Sequence, residues 1–209
     1  MKFTLRHLVY IAVFGALWGV LEMTSGAYLH VLFPPGASYL PLVGPAMAAL
    51  GLAIALVGRR FVPRSGSVLM IVVVAALLKL LSLGGVKLGP FLGILIEGGL
   101  AEVVLLAASR LRSAPAGAEG RFGFAMAGAI GVASTIPQKF LFAGLILGKS
   151  LGDTYQGLIK EGSMVFGLSA GYALAIVIFL VLVDLAMGGI AGALAWEASL
   201  AAETRLARY

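Results

Sequence analysis

Apolar runs of about 20 residues recur along this chain, and they constrain its fold more than any other feature. A helix rises about 1.5 Å per residue, so roughly 20 apolar residues cross a hydrocarbon core of about 30 Å. Six segments fit that length: about 8–23, 39–57, 67–83, 88–108, 123–148 and 163–183. Only 11% of the residues are charged, and the mean hydropathy is +1.06. A soluble domain carries roughly 25% charged residues. The expectation is an all-α integral membrane protein with six transmembrane helices in a single domain, residues 1–209.

The connections carry loop punctuation, as in Phe33-Pro34-Pro35-Gly36 and the Ala/Gly/Pro-rich stretch between Arg110 and Arg121. No internal repeat is evident, which gives no support to a repeat-built carrier. Met1 to His7 followed by an apolar run has the outline of a signal peptide. The run leads into Glu22 without an Ala-x-Ala cleavage site, so a retained first span is expected. After Asp184 the chain stays small and apolar through Ala195, which reads as a helix leaving the bilayer along the interface near Trp196.

Positive charge is divided by type. Lys2, Arg6, Arg59, Arg60, Arg64, Arg110, Arg112, Arg121, Arg205 and Arg208 all fall on one side of the six-span scheme. The opposite loops hold Lys87, Lys149 and Lys160, while Lys79 and Lys139 lie within spans. Basic residues collect in cytoplasmic loops, so both termini are expected in the cytoplasm. The net charge of +6 is then a matter of topology, with no nucleic acid implied.

Ionisable groups inside a bilayer are costly and mark functional candidates. Lys79 lies toward the outer end of span 3, and Glu22 closes span 1 on the same side. Glu97 falls near the middle of span 4. Gln138 and Lys139 follow Pro137, which should free a backbone carbonyl and kink span 5. The lysines either bind ligand, snorkel outward or pair with Glu22 or Glu97. Glu102 and Asp184, on the inner side, read as structural or coupling residues. Outer loops add Tyr28, His30 and Tyr39, then Asp153, Tyr155, Gln156, Lys160 and Glu161, a mixture suited to a lidded pocket for a small polar molecule. Five lysines on the side where topology disfavours them suggest an anionic or zwitterionic ligand, with Glu22 and Glu97 leaving room for a cationic group.

Enzymatic chemistry finds little footing. There is no cysteine, and with His7 and His30 as the two histidines no histidine-rich metal site is expected. Gly167-Leu168-Ser169-Ala170-Gly171 matches the serine-hydrolase elbow, which belongs to a strand-to-helix turn and not to a membrane helix. No histidine follows Ser169 to activate it. No phosphate-binding loop or dinucleotide fingerprint is present. The chain reads as a non-enzyme.

In span 1, Ala12 and Ala16, with Gly15 and Gly19, form two small-xxx-small pairs on adjoining faces. Small residues let membrane helices approach closely, within the chain or against a partner. Together with the size, the six spans and the Gly89-Pro90 and Glu97-Gly98-Gly99-Leu100-Ala101-Glu102 stretches, Ala12-x-x-x-Ala16 makes the chain resemble the substrate-binding S component of energy-coupling factor (ECF) transporters. The resemblance implies a prokaryotic cytoplasmic-membrane subunit that captures a vitamin or related micronutrient on the outer face. It further implies docking through helix 1, at Ala12 and Ala16, onto a membrane coupling subunit attached to two ATPases. ATP would be used by those partners, with no cofactor in this chain. Neither the tryptophan-rich pocket of some thiamine binders nor the Met-His-rich N-terminus of nickel and cobalt S components is present. The alternative is a self-sufficient, oligomeric small secondary transporter or channel in which Lys79, Glu97 and Lys139 relay ions.

Overall fold

The structure, a computed structural model, describes residues 3–32, 40–81, 88–113 and 115–206. The side chains of residues 25–32, 40, 41 and 206 lie outside the described set. The order is α1 (Leu5–Leu32), α2 (Leu40–Phe61), α3 (Ser67–Leu80), α4 (Leu88–Leu111), α5 (Gly120–Ala133), α6 (Thr135–Leu145), α7 (Leu151–Phe166) and α8 (Ala173–Leu206). No strand occurs among the described residues.

Four helical stretches are long and apolar enough to cross a membrane: Leu5–Thr24, Leu42–Phe61, Leu88–Leu111 and Ala170–Arg205. The six-span expectation changes in three places. Its span 3 becomes α3, whose 14 residues extend only about 21 Å. Its span 5 is divided into α5 and α6 at Ser134. Pro137 lacks the N–H that would bond the Ala133 carbonyl, and the division falls at that point. Its span 6 proves to be two elements, α7 and α8, joined through Gly167, whose φ of +66° ends α7 in a left-handed cap. The Gly-x-Ser-x-Gly sequence therefore lies at a helix junction and not inside a membrane helix, with Ser169 exposed.

Helix α1 also exceeds its expected span. Nothing breaks it before Leu32, and Thr24 returns its hydroxyl to the Val20 carbonyl at 2.8 Å. Tyr28 and His30, expected in a loop, are thus on the α1 backbone, and their side chains lie outside the described residues. Tyr39 and Lys87 also lie outside them.

Helices α1 and α3, α3 and α4, α4 and α5, and α5 and α8 pack in sequence, with α2 against α1 and α8. Trp18, Leu52, Leu56, Ile71, Leu105 and Phe124 are fully buried at the centre. Trp18 fits because Gly51 has no side chain; a Cβ there would lie 2.0 Å from the indole nitrogen. The closest approach is between α5 and α8. A Cβ on Gly128 would lie 2.1 Å from the Gly188 carbonyl oxygen, and one on Gly192 would lie 2.1 Å from that of Phe124. The stretch after Asp184 continues α8 within the bundle, where Gly188 and Gly192 make it a packing face against α5.

Outward-facing positions are apolar, as lipid contact requires. On α1, Leu8, Val9, Val13, Leu17 and Val20 are all exposed. Without a membrane such a face would be a large aggregation-prone patch.

Candidate functional site

Arg59 marks one end of the bundle. The guanidinium is fully buried and donates Nη2 to Glu119 Oε1 at 2.7 Å and Nη1 to Glu102 Oε1 at 3.1 Å. Glu102 in turn accepts from the backbone N–H groups of Gly66 (2.7 Å) and Val68 (3.0 Å), capping α3 from the neighbouring α4. Sequence reading placed Arg59 in a loop as a topological charge. In the fold it ties α2, α3, α4 and the α4–α5 connection together. Its neighbour Arg60 reaches Glu203 and the Gly117 carbonyl and lies 4.5 Å over the Trp196 ring, anchoring the end of α8.

Lys79 lies 12 residues along α3 from Ser67, which touches Arg59 at 3.2 Å, and so sits roughly 18 Å toward the other end. Its ammonium donates to the Glu22 carbonyl at 2.7 Å and to Glu22 Oε2 at 3.1 Å. Lys139 pairs with Glu161 across α6 and α7. Both intramembrane lysines picked out from the sequence are therefore engaged by carboxylates. Asp184 accepts from the Thr135 hydroxyl at 2.7 Å.

Glu97 differs from all of these. It is 7% exposed and makes no hydrogen bond or ion pair among the described residues. A carboxylate centred in a bilayer costs roughly 2.5 kcal/mol or more even on the most lenient insertion scale. One turn earlier is Gly93, where a Cβ would lie 2.8 Å from Gln138 Oε1. Gln138 is also 7% exposed and donates Nε2 to Ser134 Oγ at 2.8 Å. The same face of α4 thus meets a carboxamide and carries a carboxylate, one turn apart.

Beside α7, a cavity of about 450 Å³ is lined by Tyr155, Gln156, Ile159, Lys160, Ser163, Ala170 and Ala173. Helix α7 builds it because its faces are distinct: Leu158, Ile159 and Gly162 are buried against α8 while Gln156 and Lys160 face out. Ser150 caps the helix, accepting from the Asp153 N–H at 3.0 Å. Tyr155, Gln156 and Lys160 were three of the sequence-derived ligand candidates, and the structure brings them together on one cavity. Ser163, whose buried Oγ has no partner among the described residues, was not among them. Nothing in the sequence distinguishes it from other helix serines.

The four small residues of α1 divide between two faces. Cβ atoms on Gly15 and Gly19 would lie 2.6 Å from Val74 and 2.7 Å from Leu78, so both are used against α3 and are not available to a partner. Ala12 is exposed and Ala16 half-buried on the outward side.

Among the described residues no group of His, Cys, Asp and Glu could hold a metal ion. Four apolar helices of spanning length and a lipid-compatible exterior around a core holding a few paired polar groups make this a multi-pass helical membrane protein. Comparison with protein families, characterised proteins and solved structures finds no match to the chain.

Proposed function

We propose that the chain is a substrate-capture subunit of an ECF-type importer, binding a small organic micronutrient, anionic or zwitterionic, from the outer face. The observation that carries this reading is the cavity beside α7. Its volume lies in the roughly 300–1,000 Å³ range of small-molecule sites, its walls are apolar, and Tyr155, Gln156 and Lys160 supply a few directional groups. Lys160 has no ion pair among the described residues and is exposed, so it can meet a carboxylate or phosphate. The outward Ala12–Ala16 face of α1 suits docking on a membrane coupling subunit bound to two ATPases, which would supply the energy for uptake.

Native mass spectrometry of the gently solubilised protein tests the reading. A small molecule carried through purification and reduced in Lys160→Ala supports capture. A chain that stays empty after expression in rich medium, and fails to co-purify with a co-expressed coupling module, would sink it. A second reading, an autonomous ion-coupled carrier, draws on the unpaired Glu97. Uptake driven by an ion gradient into proteoliposomes containing this chain alone distinguishes the two.

A further inference from the structure

We infer that Glu97 and Gln138 form a buried binding site for a protonated amine. The first observation is one acid left without a partner among Glu22, Glu97, Glu161 and Asp184, while the exposed Lys149 and Lys160 lie on the connection before α7 and on α7 itself. Lys79 is taken by Glu22 and Lys139 by Glu161. Asp184 has the Thr135 hydroxyl at 2.7 Å. Glu97, at 7% exposure, is left without hydrogen bond or ion pair among the described residues.

The second observation is the acceptor beside it. Gln138 commits its Nε2 to Ser134 Oγ at 2.8 Å, and Oε1 accepts no hydrogen bond among the described residues. Gly93 makes room for that oxygen, since a Cβ there would come within 2.8 Å of it. A carboxylate and a carboxamide oxygen one helical turn apart offer acceptors and no donor. An ammonium carries three donors and a positive charge, so it satisfies both groups. A proton on Glu97 would neutralise the acid and supply one O–H donor, against the three donors and the retained positive charge of an ammonium. A divalent cation takes about six or more oxygen ligands, beyond what these two groups supply.

That the amine belongs to a captured micronutrient rests on the reading under Proposed function; it makes the substrate cationic at the end that enters the bundle. The lysine excess read from the sequence pointed toward anions; of those lysines Lys79 and Lys139 are paired within the chain, which leaves Lys160 at the cavity for an anionic end.

The test is thermal unfolding of the full chain in detergent, titrated with methylammonium chloride and, at matched ionic strength, with sodium or potassium chloride. Methylammonium is expected to raise Tm saturably by about 3 °C or more, and Glu97→Gln to abolish the rise. Gly93→Ala keeps the carboxylate but crowds the Gln138 amide, and should weaken apparent affinity by about tenfold. If Glu97→Gln does not fold, Gly93→Ala and Gln138→Leu carry the test. Equal rises with sodium and potassium, or a rise that survives these substitutions, overturn the inference. Absence of any methylammonium effect, in a protein that still retains a small molecule sensitive to Lys160→Ala, removes the amine site and leaves the capture reading intact.

Discussion

Arg59 Nη2 lies 2.7 Å from Glu119 Oε1, with both side chains fully buried and the residues 60 positions apart in the chain. The contact joins the end of α2 to the connection before α5, and the same guanidinium holds Glu102. Removing it leaves two buried carboxylates uncompensated. Arg59→Met is expected to destabilise the protein by roughly 3–5 kcal/mol, read as a large loss of Tm in detergent. Replacing Arg59, Glu102 and Glu119 together by apolar residues should recover much of that loss. Equal Tm for Arg59→Met and wild type would show that the cluster is not a structural tie.

The α5–α8 seam gives a second expectation. Gly192→Val places carbon against the Phe124 carbonyl oxygen, where a Cβ already lies at 2.1 Å. Backbone cannot yield as a side chain can, so a cost above about 3 kcal/mol is expected. Gly99→Ala meets nothing within 4 Å and should be neutral or stabilising by up to about 1 kcal/mol. Paired unfolding curves check both.

On α1 the four small residues should separate into two groups. Gly15→Leu drives side-chain atoms into Val74 and the Ile71 carbonyl and is expected to lower Tm sharply. Ala12→Trp points into lipid and should leave stability within about 0.5 kcal/mol, while abolishing co-purification with a coupling subunit. Retained co-purification would remove the docking assignment without touching the fold.

The helical character of the chain and its membrane-length helices were legible in the sequence, because length and apolarity alone decide them. The α7–α8 boundary was not. Met164-Val165-Phe166 reads as the start of a span, but the left-handed turn at Gly167, the extended Ser169 and a single 3-10 turn at Ala170–Tyr172 separate it from α8. Lysine pairing was one of the readings the sequence left open, with Glu22 or Glu97 as partner, but it could not be chosen over ligand binding, and Glu161 was not foreseen as the partner of Lys139. Glu22 and Lys79 are 57 residues apart and Lys139 and Glu161 are 22 apart, so their meeting is a property of packing. Adjacent Arg59 and Arg60 look identical in sequence, yet successive helix positions point about 100° apart, and one is buried while the other lies along α8. By contrast, the four-residue spacing of Gly188 and Gly192 was a readable signal of close packing that the apolar context masked.

Lys160→Ala should reduce retention of a bound small molecule at least tenfold relative to Arg121→Ala. Arg121 is the suitable control because its ion pair with Glu197 is exposed and worth about 1 kcal/mol or less. Arg60 is not, since it anchors α8. Equal, small effects of Lys160→Ala and Arg121→Ala would detach Lys160 from binding.

Topology is open to a clean measurement because the chain has no cysteine. A membrane-impermeant maleimide added to intact cells is expected to label Lys149→Cys and spare Ala118→Cys, both at exposed positions. The reverse pattern would invert the orientation, and labelling of both would show that the two connections are not on opposite sides of the bilayer.

Where α5 meets α8, main chain packs on main chain at Gly128, Gly188 and Gly192, and the Phe124 ring meets Trp196 edge to face at 5.1 Å. Helices packed that closely are expected to move together. The pair then acts as one beam. Any rearrangement that opens or closes a ligand path has to hinge elsewhere, and the fold offers two joints for it: the break at Ser134, and the short turn through Gly167 that lets α7 swing on the end of the beam.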